Sequence, residues 1–295
     1  MQTRSNFSQK HPFIFGFTLI VAAVILFAGV TAAFRMWLGD GRGAATDESL
    51  GLVRIDGMIT DAERTNTWIR TLREDDNIKG VLLRINSPGG AVAPSQEISR
   101  AVGRLATYKP VVVSMSSVAA SGGYYAAAPA DLIVANPSTL TGSIGVIMQL
   151  SNVQDLMEKI GVKRQSLASG KLKGAGSPFK PMTEAERDYL MAIVNDMHQQ
   201  FVAAVAEGRN MDIKDVQAIA DGRALTGRQA LQLGLVDKLG GMEDAVDELK
   251  AICGITEPVA LVEQPKEKTS YLREILSNIN ITISSDAVEP GLVIR

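Results

Sequence analysis

The sequence predicts an α/β protein with a mostly parallel sheet, helices outside that sheet, and one apolar helix before it. Three observations predict this class. Short β-branched or aliphatic runs alternate with longer helical patterns between residues 51 and 255, as in βαβ units. Glycine pairs follow two of the predicted strands, at positions 89–90 and 122–123. An uncharged stretch fills the 23 positions 12–34.

The elements of the predicted domain follow one another in a regular order. Strands are predicted where β-branched and aliphatic residues cluster, at 51–55, 81–85, 111–113, 132–134 and 144–147, and 163–167 is a candidate for a further strand. Helices are predicted where apolar residues recur every three or four positions, at 62–75, 94–107, 152–160, 183–207, 212–220, 226–233 and 242–251. Thr183 and Glu186 resemble a capping box, which supports a helix start there.

Composition excludes several classes of function. The chain has 295 residues, of which 46% are hydrophobic and 21% charged, as in ordinary globular proteins. Its formal net charge of −2 means that nucleic acid is not an expected partner. Cys253 is the single cysteine, which excludes an intramolecular disulfide, and we expect a buried structural thiol there. Since the sequence has only two histidines besides, it predicts no metal site and no cofactor.

The uncharged run over 12–34 predicts a single transmembrane anchor. Its 23 residues would cover about 35 Å as a helix, enough to span a bilayer. A cleavable signal peptide, whose apolar core has roughly 7 to 15 residues, is the alternative, because small residues at 30–32 resemble a cleavage site. The flanking basic residues slightly favour a cytoplasmic N-terminus with the bulk of the chain outside.

The predicted organisation of the chain therefore has five parts. These are a cytoplasmic N-terminal segment 1–11, the anchor 12–34, a linker 35–50, a folded domain 51–255 and a C-terminal tail 256–295. The tail is predicted because the composition after the domain becomes charged, then polar, and finally apolar.

The most informative residue for chemistry is Ser121, which follows a predicted strand and precedes two glycines. A serine there is typical of a nucleophile on a tight strand-to-helix turn, and a helix N-cap serine is the alternative. A serine nucleophile needs a base to take its proton. His11 adjoins the apolar run and His198 lies in a helical pattern, so the sequence points to a lysine base and a Ser-Lys dyad.

Three further segments contain candidate partners for that serine. The Asn-Ser-Pro-Gly-Gly turn at 86–90 leaves backbone N–H groups free to line a cleft, as would the N–H of Gly122; an ordinary strand-to-helix turn is the alternative. Lys171 and Lys173 lie among small residues on a loop, which is either a solvated basic loop or the source of the base. A lysine base has to be neutral, which requires apolar surroundings or a nearby positive charge. Ser143 is a candidate to orient that amine.

Together and in this order, these segments resemble the signal peptide peptidase A family of membrane-anchored serine peptidases. The resemblance covers about residues 50–255. It rests on the motifs at 86–90, 120–125, 140–146, 222–227 and 234–237. The Asn-Ser-Pro-Gly-Gly motif is also similar to that of the Clp protease proteolytic subunit.

The resemblance implies a Clp/crotonase-like fold of repeated ββα units and a set of site residues. That set comprises the nucleophile Ser121, the base Lys173 (with Lys171 as the second candidate), the lysine-orienting Ser143, and the oxyanion-hole residues Gly90 and Gly122. Single-domain members of the family form dome-shaped rings in which neighbouring subunits contribute the serine and the lysine of one site. We therefore expect a homo-oligomeric ring with shared active sites.

The expected function is that of a serine endopeptidase that degrades remnant signal peptides and other extended apolar peptides. The expected location is the inner (cytoplasmic) membrane, crossed once, with the catalytic domain on the extracytoplasmic, periplasmic side. Three alternatives remain open from the sequence. They are a related membrane peptidase that cleaves an integral membrane partner, a non-catalytic ring that only binds peptides, and a crotonase-type acyl-CoA hydratase or thioesterase.

Overall fold

The computed structural model describes residues 12–37 and 48–265, which belong to two units divided between Asp47 and Glu48. The first unit contains helix α1 (Pro12–Trp37), so the run predicted to be helical is a helix. Residues 12–37 and 48–265 contain no helix that qualifies as a candidate membrane span. The transmembrane anchor is therefore not confirmed. The predicted segment 1–11 and most of the predicted linker lie outside the described residues.

The second unit is an α/β domain built on one sheet. Its strands are β1 (Ser49–Ile59), β2 (Ile78–Gly90), β3 (Val111–Ala120), β4 (Leu132–Ala135), β5 (Leu140–Gly142), β6 (Ala224–Thr226), β7 (Lys238–Leu239) and β8 (Leu261–Glu263). Its helices are α2 (Glu63–Glu74), α3 (Val92–Ala106), α4 (Gly122–Ala127), α5 (Gln154–Lys159), α6 (Glu184–Gly208), α7 (Ile213–Ile219), α8 (Gly227–Gln232) and α9 (Met242–Cys253). The α/β class is confirmed.

The sheet has the order β6-β5-β3-β2-β1-β8, with β4 beside β3 and β7 beside β4. Every strand pair in it is parallel except β5 with β6. The sheet divides at β3, because β4 pairs with the first half of that strand and β5 with its end. The prediction of a mostly parallel sheet is therefore confirmed. As a result of the division, the end of β3, just before the glycine turn, is paired with β5 rather than β4.

The three long strands extend further than the apolar runs that predict them. Polar residues and Pro88 in the 86–90 turn suggested that the second strand ends at Ile85. The backbone instead stays paired with β1 as far as Gly90. Its pairing with β3 also continues beyond Ile85, to Ser87, after a register irregularity between these two residues. The glycine turns are thus held at the carboxyl ends of paired strands.

Both faces of the sheet are covered near its centre. Helices α2, α3, α4 and α6 contribute to the larger core on one face, whereas α9 packs Ala245 and Leu249 on the other. Adjacent residues such as Leu82 and Leu83 therefore both lie in a core, and for this reason the strand is apolar throughout. Cys253 is partly rather than fully buried, and burial raises the pKa of its thiol.

Two of the predicted strands are wrong. Residues 144–147 and 163–167 form no strand, and Ile147 and Leu167 are 80% and 93% exposed. Leu167 is the single apolar residue of 163–167, and in 144–147 Ile144 is buried in the core although its backbone forms no strand. Conversely, β8 lies within the segment predicted as a tail, where Leu261–Glu263 pair with Leu50–Leu52 of β1. A three-residue edge strand carries too little periodicity to be predicted from sequence.

Candidate active site

Ser121 occupies the junction between β3 and α4 in a strained conformation. Its φ of 52° and ψ of −120° are rare for a residue with a side chain, and such strain costs about 1–3 kcal/mol. Two backbone hydrogen bonds hold it there: its N–H donates to the Gly142 carbonyl and its own carbonyl accepts from the Tyr125 N–H, both at 2.9 Å. Strain of this kind is concentrated at functional sites, which agrees with the predicted nucleophile turn. The side chain makes no capping hydrogen bond.

The two glycine turns pack directly against each other beside Ser121. A methyl group added to Gly89 would lie 2.6 Å from the Gly122 nitrogen, and one added to Gly122 would lie 2.3 Å from Ser95 Oγ. Only glycine permits this approach. As a result, Ser121, Gly90 and Gly122 line one small cavity, so the structure brings the predicted nucleophile and both predicted oxyanion donors together. Gly122 opens α4, and its N–H therefore has no acceptor within that helix.

Ser143 follows β5, one residue after the carbonyl that holds Ser121. Its backbone is also left-handed, with φ of 49°. Its N–H donates to the Arg223 carbonyl at 3.0 Å, and its Oγ donates to the Gly222 carbonyl at 3.3 Å. The structure places Ser143 beside the nucleophile turn but gives it no lysine partner within the described residues. Residues 222–227, one of the motifs that carry the family resemblance, support this turn through backbone contacts.

Lys171 and Lys173 lie on consecutive turns over residues 171–176, with both side chains exposed. The Lys173 N–H donates to the Gly170 carbonyl at 3.1 Å. Within residues 48–265 neither amine has a hydrogen bond or an ion pair, and neither lysine lines the Ser121 cavity. An exposed amine is well hydrated, so one described chain alone does not supply the apolar surroundings that a lysine base requires.

Comparison with known proteins decides the family. The model of peptidase family S49 matches residues 104–256, about half of the chain. The chain belongs to peptidase family S49. It is 44% identical to a protease-named protein of Methanocaldococcus jannaschii over 72% of this chain and 68% of that one. It is 36% identical to a protein named signal peptide peptidase SppA from Enterococcus faecium, over 79% and 72%.

A protease-named protein of Synechocystis is also 36% identical, over 81% of this chain and 91% of that one. These findings confirm the predicted family and show that this S49 member is a serine peptidase. Among solved structures, a ClpP1 mutant from Listeria monocytogenes is similar at a TM-score of 0.45 and 17% identity, over 66% of this chain and 94% of that one. Likeness at that level does not establish a shared assembly.

An ion pair that the sequence did not suggest connects α6 to the segment that follows the turns over residues 171–176. Lys180 donates to the buried carboxylate of Glu186, which also accepts from the Thr183 N–H at 3.0 Å in the predicted capping box. The Lys180 stem passes close to Gly174, since a methyl group added there would lie 3.6 Å from Lys180 Cε. The backbone next to Lys173 is thereby packed against an anchored side chain.

We expect Glu186→Gln to weaken the domain at neutral pH and to have less effect in acid. The hydrogen bond from Lys180, followed by that from the Thr183 N–H, lowers the pKa of the Glu186 carboxyl below its usual value. A lowered pKa in the folded state means that the stabilisation is complete above about pH 4.3 and is lost as the pH falls through the folded-state pKa. Urea unfolding at neutral and acidic pH measures this.

The matched control is Glu184→Gln, which changes an exposed carboxyl in the same first turn of α6. Its effect should be small at both pH values. A difference in unfolding free energy between wild type and the Glu186→Gln variant that stays constant with pH would contradict the role assigned to this ion pair.

Because the Gly90 N–H is a predicted oxyanion donor, displacing it by Gly90→Ala should reduce kcat by about 10²–10³-fold, the loss typical of one such donor. The new methyl group would lie 2.1 Å from the Ile59 carbonyl oxygen, which already accepts from the Ala91 N–H at 2.8 Å. Since that oxygen is backbone, the end of β2 has to move. Gly103→Ala on α3 is the control, because its methyl group would make only an ordinary contact of 3.5 Å with Pro129 Cβ. Steady-state rates equal to wild type in Gly90→Ala would refute the assignment.

Proposed function

We propose that this S49 peptidase is a membrane-anchored endopeptidase that uses a Ser-Lys dyad to degrade remnant signal peptides and other extended apolar peptides. The observation that carries the proposal is the strained, partly exposed Ser121 sharing one cavity with Gly90 and Gly122. A serine that shares a cavity with two such backbone amides has the neighbours that an acyl-transfer oxyanion needs.

The proposed mechanism uses few groups. The neutral amine of Lys173 takes the proton of Ser121, whose Oγ attacks the scissile carbonyl. The N–H groups of Gly90 and Gly122 hold the oxyanion of the tetrahedral intermediate. Protonated Lys173 then donates its proton to the leaving amine. In the second half of the reaction, Lys173 takes a proton from water, the water attacks the acyl carbonyl, and Lys173 returns the proton to Ser121 Oγ. In this scheme the Ser143 hydroxyl accepts a hydrogen bond from the Lys173 amine and orients it.

We propose that the working form is a homo-oligomeric ring in which a neighbouring protomer supplies the lysine. The segment between β5 and α6 supports this, because it presents large apolar side chains to solvent in one chain. Ile147, Leu156, Ile160 and Leu167 are 59–93% exposed. Apolar side chains exposed in such number along one segment are typical of an interface. A second copy that covers this segment would also give the lysines the apolar surroundings they lack.

We propose further that the N-terminal region holds the enzyme at the inner membrane, with the peptidase domain outside the cytoplasm. The support is the uncharged run over 12–34 and the apolar side chains exposed on α1. Alkaline carbonate extraction of membranes tests this: the full chain should stay in the pellet, and a chain lacking residues 1–37 should be released. Release of the full chain would contradict it.

The decisive experiment incubates the full chain with a synthetic signal peptide, and separately with a fluorophosphonate reagent that labels activated serines. We expect internal cleavage of the peptide and labelling of Ser121, both detected by mass spectrometry. Peptide binding with neither cleavage nor labelling would instead identify a peptide-binding ring. Turnover of an acyl-CoA without peptide cleavage would identify a crotonase-type enzyme, and cleavage confined to an integral membrane protein would identify the related membrane peptidase.

A further inference from the structure

We infer that the Ser95 hydroxyl is a third hydrogen-bond donor to the oxyanion, beside the N–H groups of Gly90 and Gly122, and that it makes this bond only during the reaction. This inference rests on the proposed peptidase function and deepens it. It assigns a catalytic role to a side chain on α3 that belongs to neither glycine turn.

The first observation is the position of Ser95. The residue lies in the first turn of α3, which begins shortly after Gly90, and only 1% of its surface is exposed. It lines the cavity that Ser121, Gly90 and Gly122 share. Its Oγ is the atom nearest to a methyl group added to Gly122, at 2.3 Å. The hydroxyl oxygen is therefore in close contact with a residue whose N–H is a proposed oxyanion donor.

The second observation is the size of that cavity. The open space is about 20 Å³, and one water molecule needs about 10–15 Å³ of such space. The cavity therefore has room for a single oxygen atom and not for a large side chain, which fits the carbonyl oxygen of a bound peptide. A donor on any wall of so small a space lies close to that one atom.

The third observation concerns the other side chains around the cavity. Apart from Ser95, Ser121 and Tyr125, they are apolar. The Tyr125 hydroxyl donates to the Gln200 carbonyl at 3.3 Å, and its ring stacks on Phe201 with the centroids 4.4 Å apart. Ser95 is thus the side-chain donor that remains beside the nucleophile. Apolar walls also strengthen a hydrogen bond to a charged oxygen, because they lower the local dielectric constant.

The Ser95 hydroxyl can change its partner at little cost. It donates to the Ala91 carbonyl at 2.9 Å, and that carbonyl also accepts from the Ser95 N–H at 3.2 Å. When the hydroxyl turns away, the carbonyl therefore keeps a donor, and no buried acceptor is left unsatisfied. Rotation about one side-chain bond exchanges a hydrogen bond to a neutral oxygen for a stronger one to an oxyanion.

The test compares wild type with Ser95→Ala on one peptide substrate, using the full chain. Because the bond forms only when the oxygen becomes charged, kcat should fall by about 10–100-fold, the usual effect of one hydrogen bond to a charged group, and KM should stay unchanged. The melting midpoint should not fall, since alanine has the higher helix propensity and the Ala91 carbonyl keeps its N–H partner.

A peptidyl trifluoromethyl ketone gives a readout that a merely structural role would not change. Ser121 Oγ bonds to the ketone carbon, the proton of the serine passes to the base, and the ketone oxygen becomes an oxyanion in the cavity. The inhibition constant of this ketone should rise in Ser95→Ala by the same factor by which kcat falls, because both report on the charged oxygen.

Ser99→Ala is the matched control, because it removes another buried hydroxyl one turn further along α3, and Ser99 does not line the Ser121 cavity. Its kcat and its affinity for the ketone should equal those of wild type. Unchanged kcat in Ser95→Ala, or a lower kcat with unchanged affinity for the ketone, would overturn the inference. Absence of cleavage by wild type would instead overturn the peptidase proposal.

Discussion

Ser121→Ala should lower kcat/KM on a peptide substrate by about 10⁴-fold or more, as removal of the nucleophile does in other serine peptidases. The fold should be unaffected, because the Ser121 side chain makes no capping hydrogen bond and its backbone is held by Gly142 and Tyr125. Alanine meets the same backbone strain as serine at this φ. Steady-state kinetics and thermal unfolding of the same preparation give both quantities.

Ser138→Ala is the matched control, since it removes a hydroxyl from an exposed turn after β4. It should retain wild-type rates. Activity in Ser121→Ala above a few per cent of wild type, with an unchanged melting midpoint, would mean that the strained serine is structural and that another group attacks the substrate.

Lys173→Ala should abolish turnover to the same degree as loss of Ser121, while Lys171→Ala should retain most of it. The two lysines are two residues apart, and both are exposed on the same turns, so they form a closely matched pair. Removing a general base leaves the serine protonated, whereas removing a surface cation changes only the local charge. Burst and steady-state rates on one peptide distinguish these outcomes.

Mixing the two inactive proteins tests whether the dyad spans two protomers. When Ser121→Ala and Lys173→Ala chains are dissociated and reassembled together, some interfaces combine an intact serine with an intact lysine. We expect activity to return in the mixture and in neither protein alone. No return from a demonstrably mixed oligomer would show that both groups act within one chain, and loss of turnover in Lys171→Ala alone would exchange the roles of the two lysines.

The features that the sequence predicts well are those encoded over a few adjacent residues. The alternating apolar runs gave the order of the main strands and helices, and the glycine pairs located both turns at the site. Gly90, Gly122 and Ser121 share a cavity because the parallel strands β2 and β3 end at the same edge of the sheet. The alternation of strand and helix patterns in the sequence predicts that parallel arrangement.

The features that escaped prediction depend on contacts between distant residues. The Tyr125–Phe201 stack joins α4 to α6 across 75 intervening positions, and neither residue has a local pattern that indicates this contact. The Lys180–Glu186 pair was missed although the capping box was recognised, because a surface-like lysine gave no signal of its packing. The strand predicted at 144–147 is absent because apolar composition does not specify a pairing partner, and the segment 163–167 has Leu167 as its single apolar residue.

The bond from the Ser121 N–H to the Gly142 carbonyl has a consequence for communication between sites. Gly142 is the last residue of β5, and the same continuous backbone leads from it through Ser143 to the loop that carries Lys173. In the proposed ring, the backbone that holds Ser121 of one protomer would therefore continue into the loop that brings Lys173 to the site of its neighbour. A peptide bound at one site would then alter the geometry of the next site, so that each active site of the proposed ring is coupled to its neighbour.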